Sequence, residues 1–326
     1  MTSGTRGSAA AAILAALLLV LPACSGSGGE TVEITVDAGS SARQVAERLE
    51  DAGLVDHPRI FTLYARFRGA GSGLKSGQYR LRKSASWEEL LDALRSGRVV
   101  THPVTIPPGF TVRQIAPRVA DVAGVPADSV LALARDSALA AELGVPGPGL
   151  EGYLFPETYR FAAGISPREA LAAMARRYRE FWGPGERARL DSLDLTEREV
   201  VTLASIVERE ARVAGERPVI AGVYANRLEE GMRLQADPTV QYLLDRPKER
   251  LLYADIERVG DNPYNTYTHA GLPPGPIASP GAASLRAALN PADVPYLYFV
   301  ARPDGTHIFT RTREEHVAAK ERVRQP

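Results

Sequence analysis

The stretch that decides how this chain is read runs from Thr196 to Tyr242: TEREVVTLASIVEREARVAGERPVIAGVYANRLEEGMRLQADPTVQY. It reads as two helices and a turn-rich exit. Thr196 with Glu199 three residues on forms a capping box, which satisfies amide groups that a helix start leaves unpaired. Val200, Leu203 and Val207, with the small Ala204 and Ala211, recur at helical spacing and make one apolar stripe. Glu208 and Glu210 flank that stripe on opposite edges, and Arg209 points away from it. In the second helix Pro218 suits a first-turn position and Gly231 a stop.

The two acids have different neighbours. Glu208 is followed four residues later by Arg212, the favourable order for a surface pair worth roughly 0.2–0.5 kcal/mol. Glu210 has Ile206 and Val207 behind it and Val213 and Ala214 ahead. An apolar surround disfavours the charged carboxylate and raises its pKa, which a proton donor working near neutral pH requires. The competing reading makes both residues ordinary solvated helix acids, and periodicity does not separate the two.

The order of short motifs does separate them. ASIVEREA, Asn226-Arg227 and GMRLQADPTVQY lie inside the quoted stretch. EGYLFPETY precedes it at Glu151–Tyr159, and PYNTYTHAGLPPGPIASPG follows at Pro263–Gly281. Asn290-Pro291 and PYLYFVA, from Pro295 to Ala301, come last. Together they resemble the signature of the endolytic murein transglycosylases, the MltG or YceG-like family, over about half of the chain. The resemblance implies that the second Glu of ASIVExE, here Glu210, is the catalytic acid. It also implies cleavage of the β-1,4 bond between N-acetylmuramic acid and N-acetylglucosamine in nascent peptidoglycan. The single carboxylate then acts as acid and afterwards as base for the muramyl 6-hydroxyl, giving 1,6-anhydro ends. Candidate substrate contacts are Glu208, Gln235, Asp237, Asn265, Tyr267, Glu151 and Tyr153. Penicillin-binding synthases and the elongation machinery are the implied partners.

Several of these residues have structural roles open to them as well. Tyr153, Phe155 and Tyr159 suit stacking on sugar faces or burial in a core. Asp237 before Pro238 suits substrate contact or a helix cap. His269 is a candidate base set against an exposed histidine. The Pro263–Gly281 loop, rich in Pro and Gly, suits a stiff groove wall or a rigid connector.

Outside the motifs, residues 1–24 read as a targeting segment. Arg6 precedes the uncharged run AAAAILAALLLVLPA and then Cys24, the single cysteine of the chain. The run is shorter than the roughly 20 residues that a membrane-spanning helix needs. Leu21-Pro22-Ala23-Cys24 resembles a bacterial lipobox, with Pro22 where a small residue is usual. It points to a lipoprotein signal peptide, lipid attachment at Cys24, a flexible tether over 25–30 and a membrane anchor facing the cell wall. Plain secretion or an uncleaved anchor are the other readings. Most of the resembled family has a transmembrane helix in this place.

Residues 31–100 alternate as strand, helix, helix, strand and a closing helix capped by Ser86 and Glu89. This order resembles the LysM-like module of the family, a glycan binder, and fits a plain spacer domain as well. Residues 101–148 bring a strand into a Pro-Gly turn, a helix with an internal Pro117 and a further helix over PADSVLALARDSALAAELG. They are expected either to link the domains or to pack onto the catalytic region, which extends over 101–326. PYLYFVARPDGTHIFTRT reads as a hairpin turning near Asp304-Gly305, and a charged helix ends the chain. The fold class expected is α+β: a small LysM-like α/β module and a mixed α+β YceG-like catalytic domain.

Composition removes other classes. The formal net charge is zero, with 39 basic and 39 acidic residues intermixed, which gives no basic face for nucleic acid. The five histidines, His57, His102, His269, His307 and His316, show no paired helical spacing. With no HExxH, phosphate loop or dinucleotide fingerprint, no cofactor and no metal are expected. Two alternatives to a lytic transglycosylase stay open. A hydrolytic muramidase needs Glu151 or Glu157 beside Glu210 as its second carboxylate. A non-catalytic glycan-binding lipoprotein needs only residues 31–100.

Overall fold

The computed structural model describes residues 29–249 and 251–324. The lipobox and Cys24 lie outside them, as do residues 25–28 of the tether. Among the described residues no helix is long and apolar enough to cross a membrane. The chain is a mixed α+β protein that divides into two compact units at Gly97–Arg98.

In the first unit β1 (Thr31–Val36) pairs antiparallel with β2 (Gly77–Arg82), Thr31 opposite Arg82 and Val36 opposite Gly77. Between them lie α1 (Ala42–Asp51) and α2 (Pro58–Phe67), and α3 (Trp87–Ser96) follows. Alternation on the strands sends Ile34, Val36, Tyr79 and Leu81 inward, where they join Leu49, Phe61, Leu90 and Leu94 in the core. Ser41 with Gln44, and Ser86 with Glu89, close reciprocal capping boxes on α1 and α3.

The second unit opens with β3 (Thr101–Thr105), α4 (Val112–Ala123), α5 (Ala127–Ala134) and α6 (Ser137–Glu142). The single helix expected over residues 126–144 is thus two, because the Asp136 side chain caps a new start by accepting the Ala138 amide at 2.8 Å. β4 (Thr158–Ala162) runs antiparallel to β3, Thr105 opposite Thr158. Then come α7 (Pro167–Phe181), α8 (Pro184–Asp191), α9 (Glu197–Glu210), α10 (Arg217–Glu229), α11 (Asp237–Leu243), α12 (Tyr253–Val259) and α13 (Ala282–Leu289). The hairpin β5 (Tyr298–Ala301) and β6 (His307–Thr310) and the helix α14 (Arg313–Arg324) end the chain.

One apolar core runs through this unit, from Val104 and Ile106 through Leu150, Met174 and Tyr178 to Leu285 and Leu289. The 101–148 stretch supplies part of it, so that stretch is packed into the unit. At its centre is α9. The sequence suggests one apolar stripe; the structure buries every residue from Val200 to Val207, because α10 and α13 both pack on the helix. Its polar members are satisfied locally: Thr202 Oγ1 donates to the Arg198 carbonyl, and Ser205 Oγ donates to the Thr202 carbonyl and accepts the Ile277 amide at 3.0 Å.

Candidate active site

The buried helix α9 ends on Glu210, which is partly buried and points at α10. Its Oε1 accepts a hydrogen bond from the Tyr224 hydroxyl at 2.9 Å, and Tyr224 itself is fully buried. Burial pushes the Glu210 carboxyl up to about 7, and the negative charge of Asp237 pushes the same way. The Tyr224 hydrogen bond and the charges of Arg227 and Arg209 pull it down, but by less. Standing in the last turn of a helix, Glu210 also meets the partial negative charge of the helix end, which disfavours its ionised form.

Around this carboxyl the structure gathers Tyr224 and Arg227 from α10, Asp237 from the start of α11, and Tyr267 from the Pro-rich loop. Asp237 is the first residue of α11, yet it caps nothing, since no side-chain hydrogen bond closes that helix start. Its Oδ1 instead accepts the Tyr267 hydroxyl. Burial and the Asp237 charge hold the Tyr267 phenol well above the ordinary tyrosine range. Arg227 is buried and donates to the carbonyls of Leu234 and Leu297, each at 2.6 Å, with its guanidinium 5.2 Å from the Tyr298 ring centre. It is thus a clamp that fixes two loops, with its charge left within reach of Glu210.

Gln235 is the one non-glycine residue among those described with a positive φ, 48°. Such a backbone costs on the order of 1 kcal/mol for a side chain other than glycine and persists only where its surroundings enforce it. Here they do. The Gln235 amide donates to the Thr266 carbonyl at 3.1 Å, and the Ala236 amide donates to Thr266 Oγ1 at 3.0 Å. Thr266 and Thr239, both buried, share a hydroxyl contact of 2.9 Å. The side chain of Gln235 is left exposed beside Asp237.

Other expected contacts have different places. Glu208 does not pair with Arg212: it meets Arg217 at 3.1 Å and accepts the Gly281 amide at 2.9 Å, with 6% of its side chain exposed. The turn after α9 brings Arg217 back onto the helix, a tertiary contact that spacing along one helix does not show. Asn265 is fully buried, donating to the Gly260 carbonyl at 2.8 Å and accepting the Tyr267 amide at 3.1 Å. It braces its own loop and is closed to substrate. Tyr153 and Phe155 are buried in the core, and Tyr159 is half-buried and stacked on Phe161 at 5.5 Å, so this stretch has no ring platform for a sugar. Glu157 is paired with Arg177 at 2.6 Å, and His269 meets Asp261 at 2.9 Å.

Glu151 stands apart from Glu210. It lines a cavity of about 190 Å³ with Tyr242 and Tyr264, accepts the Val112 amide at 3.1 Å, and is raised to about 7 by burial. The adjoining Gly152 lies against Val201, nine residues before Glu210, which is about 14 Å along the helix axis. A second, smaller cavity shares Arg113 and Tyr242 with the first and reaches Arg209 and Pro238, the chain neighbours of Glu210 and Asp237. Among the described residues no group of three or more His, Cys, Asp or Glu side chains could hold a metal ion. The residues that sequence reasoning missed are Tyr224 and Arg227. Their signal is a phenol and a guanidinium three residues apart in VYANR, close to one face of a helix, with Arg227 quoted only as part of a motif.

The chain is 34% identical over 307 residues to a protein of Bacillus subtilis (strain 168) named endolytic murein transglycosylase, covering 90% of this chain and 84% of that one. To the protein of the same name from Streptococcus pneumoniae serotype 2 it is 33% identical over 319 residues, covering 87% of this chain and 57% of the longer relative. A crystal structure of a yceG-like protein of Listeria monocytogenes superposes with a TM-score of 0.62 at 32% identity, over 89% of this chain and 99% of that one. The YceG-like family model matches residues 34–322, which takes in most of both units and every residue around Glu210, and the chain belongs to that family.

Proposed function

We propose that the protein is a lytic transglycosylase that cleaves the glycan strands of peptidoglycan, with Glu210 as its acid and then its base. The observation that carries this reading is the place of Glu210, at the end of the buried helix α9 with the Tyr224 hydroxyl donating to it at 2.9 Å. A carboxyl at about 7, mounted on a buried helix and open to one side, is half protonated near neutral pH and so serves both proton transfers. The relatives named endolytic murein transglycosylase support the reaction class. In the proposed cycle Glu210 protonates the oxygen between N-acetylmuramic acid and N-acetylglucosamine. The oxocarbenium-like sugar that forms lies in the field of Asp237. The Glu210 carboxylate then takes the proton of the muramyl 6-hydroxyl, whose attack on the anomeric carbon closes the 1,6-anhydro ring. No water enters the bond-forming step, because proximity favours the internal hydroxyl.

A second reading has one observation in its favour. Asp237 is an acid close enough to raise the Glu210 pKa, and a carboxylate there could activate water, as in a hydrolytic muramidase. Glu151 and Glu157, the acids that the sequence offers for that part, are engaged elsewhere. Mass spectrometry of products from purified peptidoglycan separates the two. Anhydromuramic ends with wild-type protein, falling about 10²–10⁴-fold with Glu210→Gln, are the expected result. Reducing ends that carry a water would put Asp237 in the base role instead. Export and a lipid anchor at Cys24 are the matching placement. Loss of membrane-fraction protein on Cys24→Ala is the expected outcome of fractionation.

A further inference from the structure

The cavity that holds Glu151 contains two buried donors with no acceptor. Tyr153 is 1% exposed and its hydroxyl has no hydrogen-bond partner. Nε of Arg198, on the first turn of α9, has none either, while another nitrogen of the same guanidinium donates to the Pro274 carbonyl. Both residues line the same space of about 190 Å³. Two such groups left unpaired are costly, so the arrangement suits an acceptor supplied from outside the fold, a water or a ligand.

The charge of the pocket narrows what that acceptor is. Arg113 and Arg135 line it with Arg198, and both act on Glu151 through their charge. Tyr264 adds a hydroxyl beside Arg198, both within 3.5 Å of where a side chain on Gly275 would start. The one acid among the lining residues, Glu151, accepts the Val112 amide. Three arginines therefore line a pocket that has a single carboxyl among its lining residues. Guanidinium forks and phenol donors together match a carboxylate.

We propose that Arg198, Arg113 and Arg135, with the Tyr153 hydroxyl, form a subsite for a free carboxylate on the substrate strand, at a distance from the bond being cut. The subsite rests on the peptidoglycan reading above. The second cavity, which shares Arg113 with this one and reaches Pro238 and Arg209, gives a path from it toward Glu210. The carboxylates of peptidoglycan are carried by its peptide side chains. The enzyme is thereby a reader of peptide-bearing strands, and strands stripped of peptide lose this contact.

Calorimetric titration of the full-length protein, kept in detergent, tests the subsite without turnover. The probes are N-acetylmuramyl-L-alanyl-D-glutamate, its diamide, and inorganic phosphate. The diacid is expected to bind about tenfold or more tighter than the diamide, and Arg135→Gln and Arg113→Gln, both exposed positions, each to remove most of that difference. Glu210→Gln is expected to keep it, so failure of the catalytic reading leaves this result standing. Equal binding of diacid and diamide, or no binding of either, overturns the proposal and leaves a water-filled cavity. Phosphate binding as tightly as the diacid replaces it with a general anion site.

Discussion

At the scale of the residue, the chemistry turns on what surrounds one carboxyl. Tyr224 donates to Glu210 and so favours its charged form, whereas Asp237 opposes it. Removing either has an opposite and readable effect. In Tyr224→Phe the pKa rises, and the alkaline limb of kcat/KM, which reports loss of the protonated acid, moves to higher pH. In Asp237→Asn it falls, and the limb moves to lower pH. Shifts in the same direction would mean that the limb belongs to another group. The raised pKa of Glu210 is foreshadowed in the sequence by its apolar neighbours, whereas its choice as the acid rests on the order of the motifs. The role of Glu208 was not legible there, since the helical i,i+4 rule points to Arg212 and only the folded turn brings Arg217 within 3.1 Å.

At the scale of the element, α9 and its surroundings show what local patterns convey. The Thr196–Glu199 capping box lies within four residues, and the helix starts as they indicate. β4 could not be read this way. Its five residues gain strand geometry by pairing with β3, more than fifty residues earlier, and no local pattern encodes such a partner. Glu208 joins the end of α9 to Arg217, and through the Gly281 amide to the start of α13. Glu208→Ala leaves a guanidinium that is 17% exposed without its counter-charge and an amide without its acceptor. A loss of about 3 kcal/mol is expected in urea unfolding, with the pH limb of the residual activity unmoved. A limb that moved would make Glu208 part of the proton chemistry.

At the scale of the whole molecule, the candidate site belongs to one unit. Glu210, Tyr224, Arg227, Asp237 and Tyr267 all fall between Arg98 and Pro326, around a core of that unit's own residues. A protein comprising residues 98–326 is therefore expected to unfold in a single cooperative transition and to give anhydro products with the same pH limb as the longer chain. Multiphasic melting, or a shifted limb, would show that the first unit shapes the site. The α+β class was readable from the mixture of strand and helix periods. The placement of each candidate contact was not: Tyr153 and Gln235 owe theirs to Tyr178 and Thr266, partners distant in sequence.

Gly222 has a consequence for living cells. It sits inside α10, two residues from Tyr224, and a methyl group there would lie 2.4 Å from the Ala292 carbonyl oxygen. Alanine is the residue helices favour most, yet here it must drive off the 292–297 segment that Asn226 and Arg227 grip through the carbonyls of Val294, Tyr296 and Leu297. Gly222→Ala leaves every reacting group in place and weakens only the grip that aligns them. Its melting temperature is expected to drop by several degrees, measured by calorimetry, while activity in the cold persists. That is the profile of a heat-sensitive allele, a single methyl group with which wall cleavage could be switched off by warming a culture.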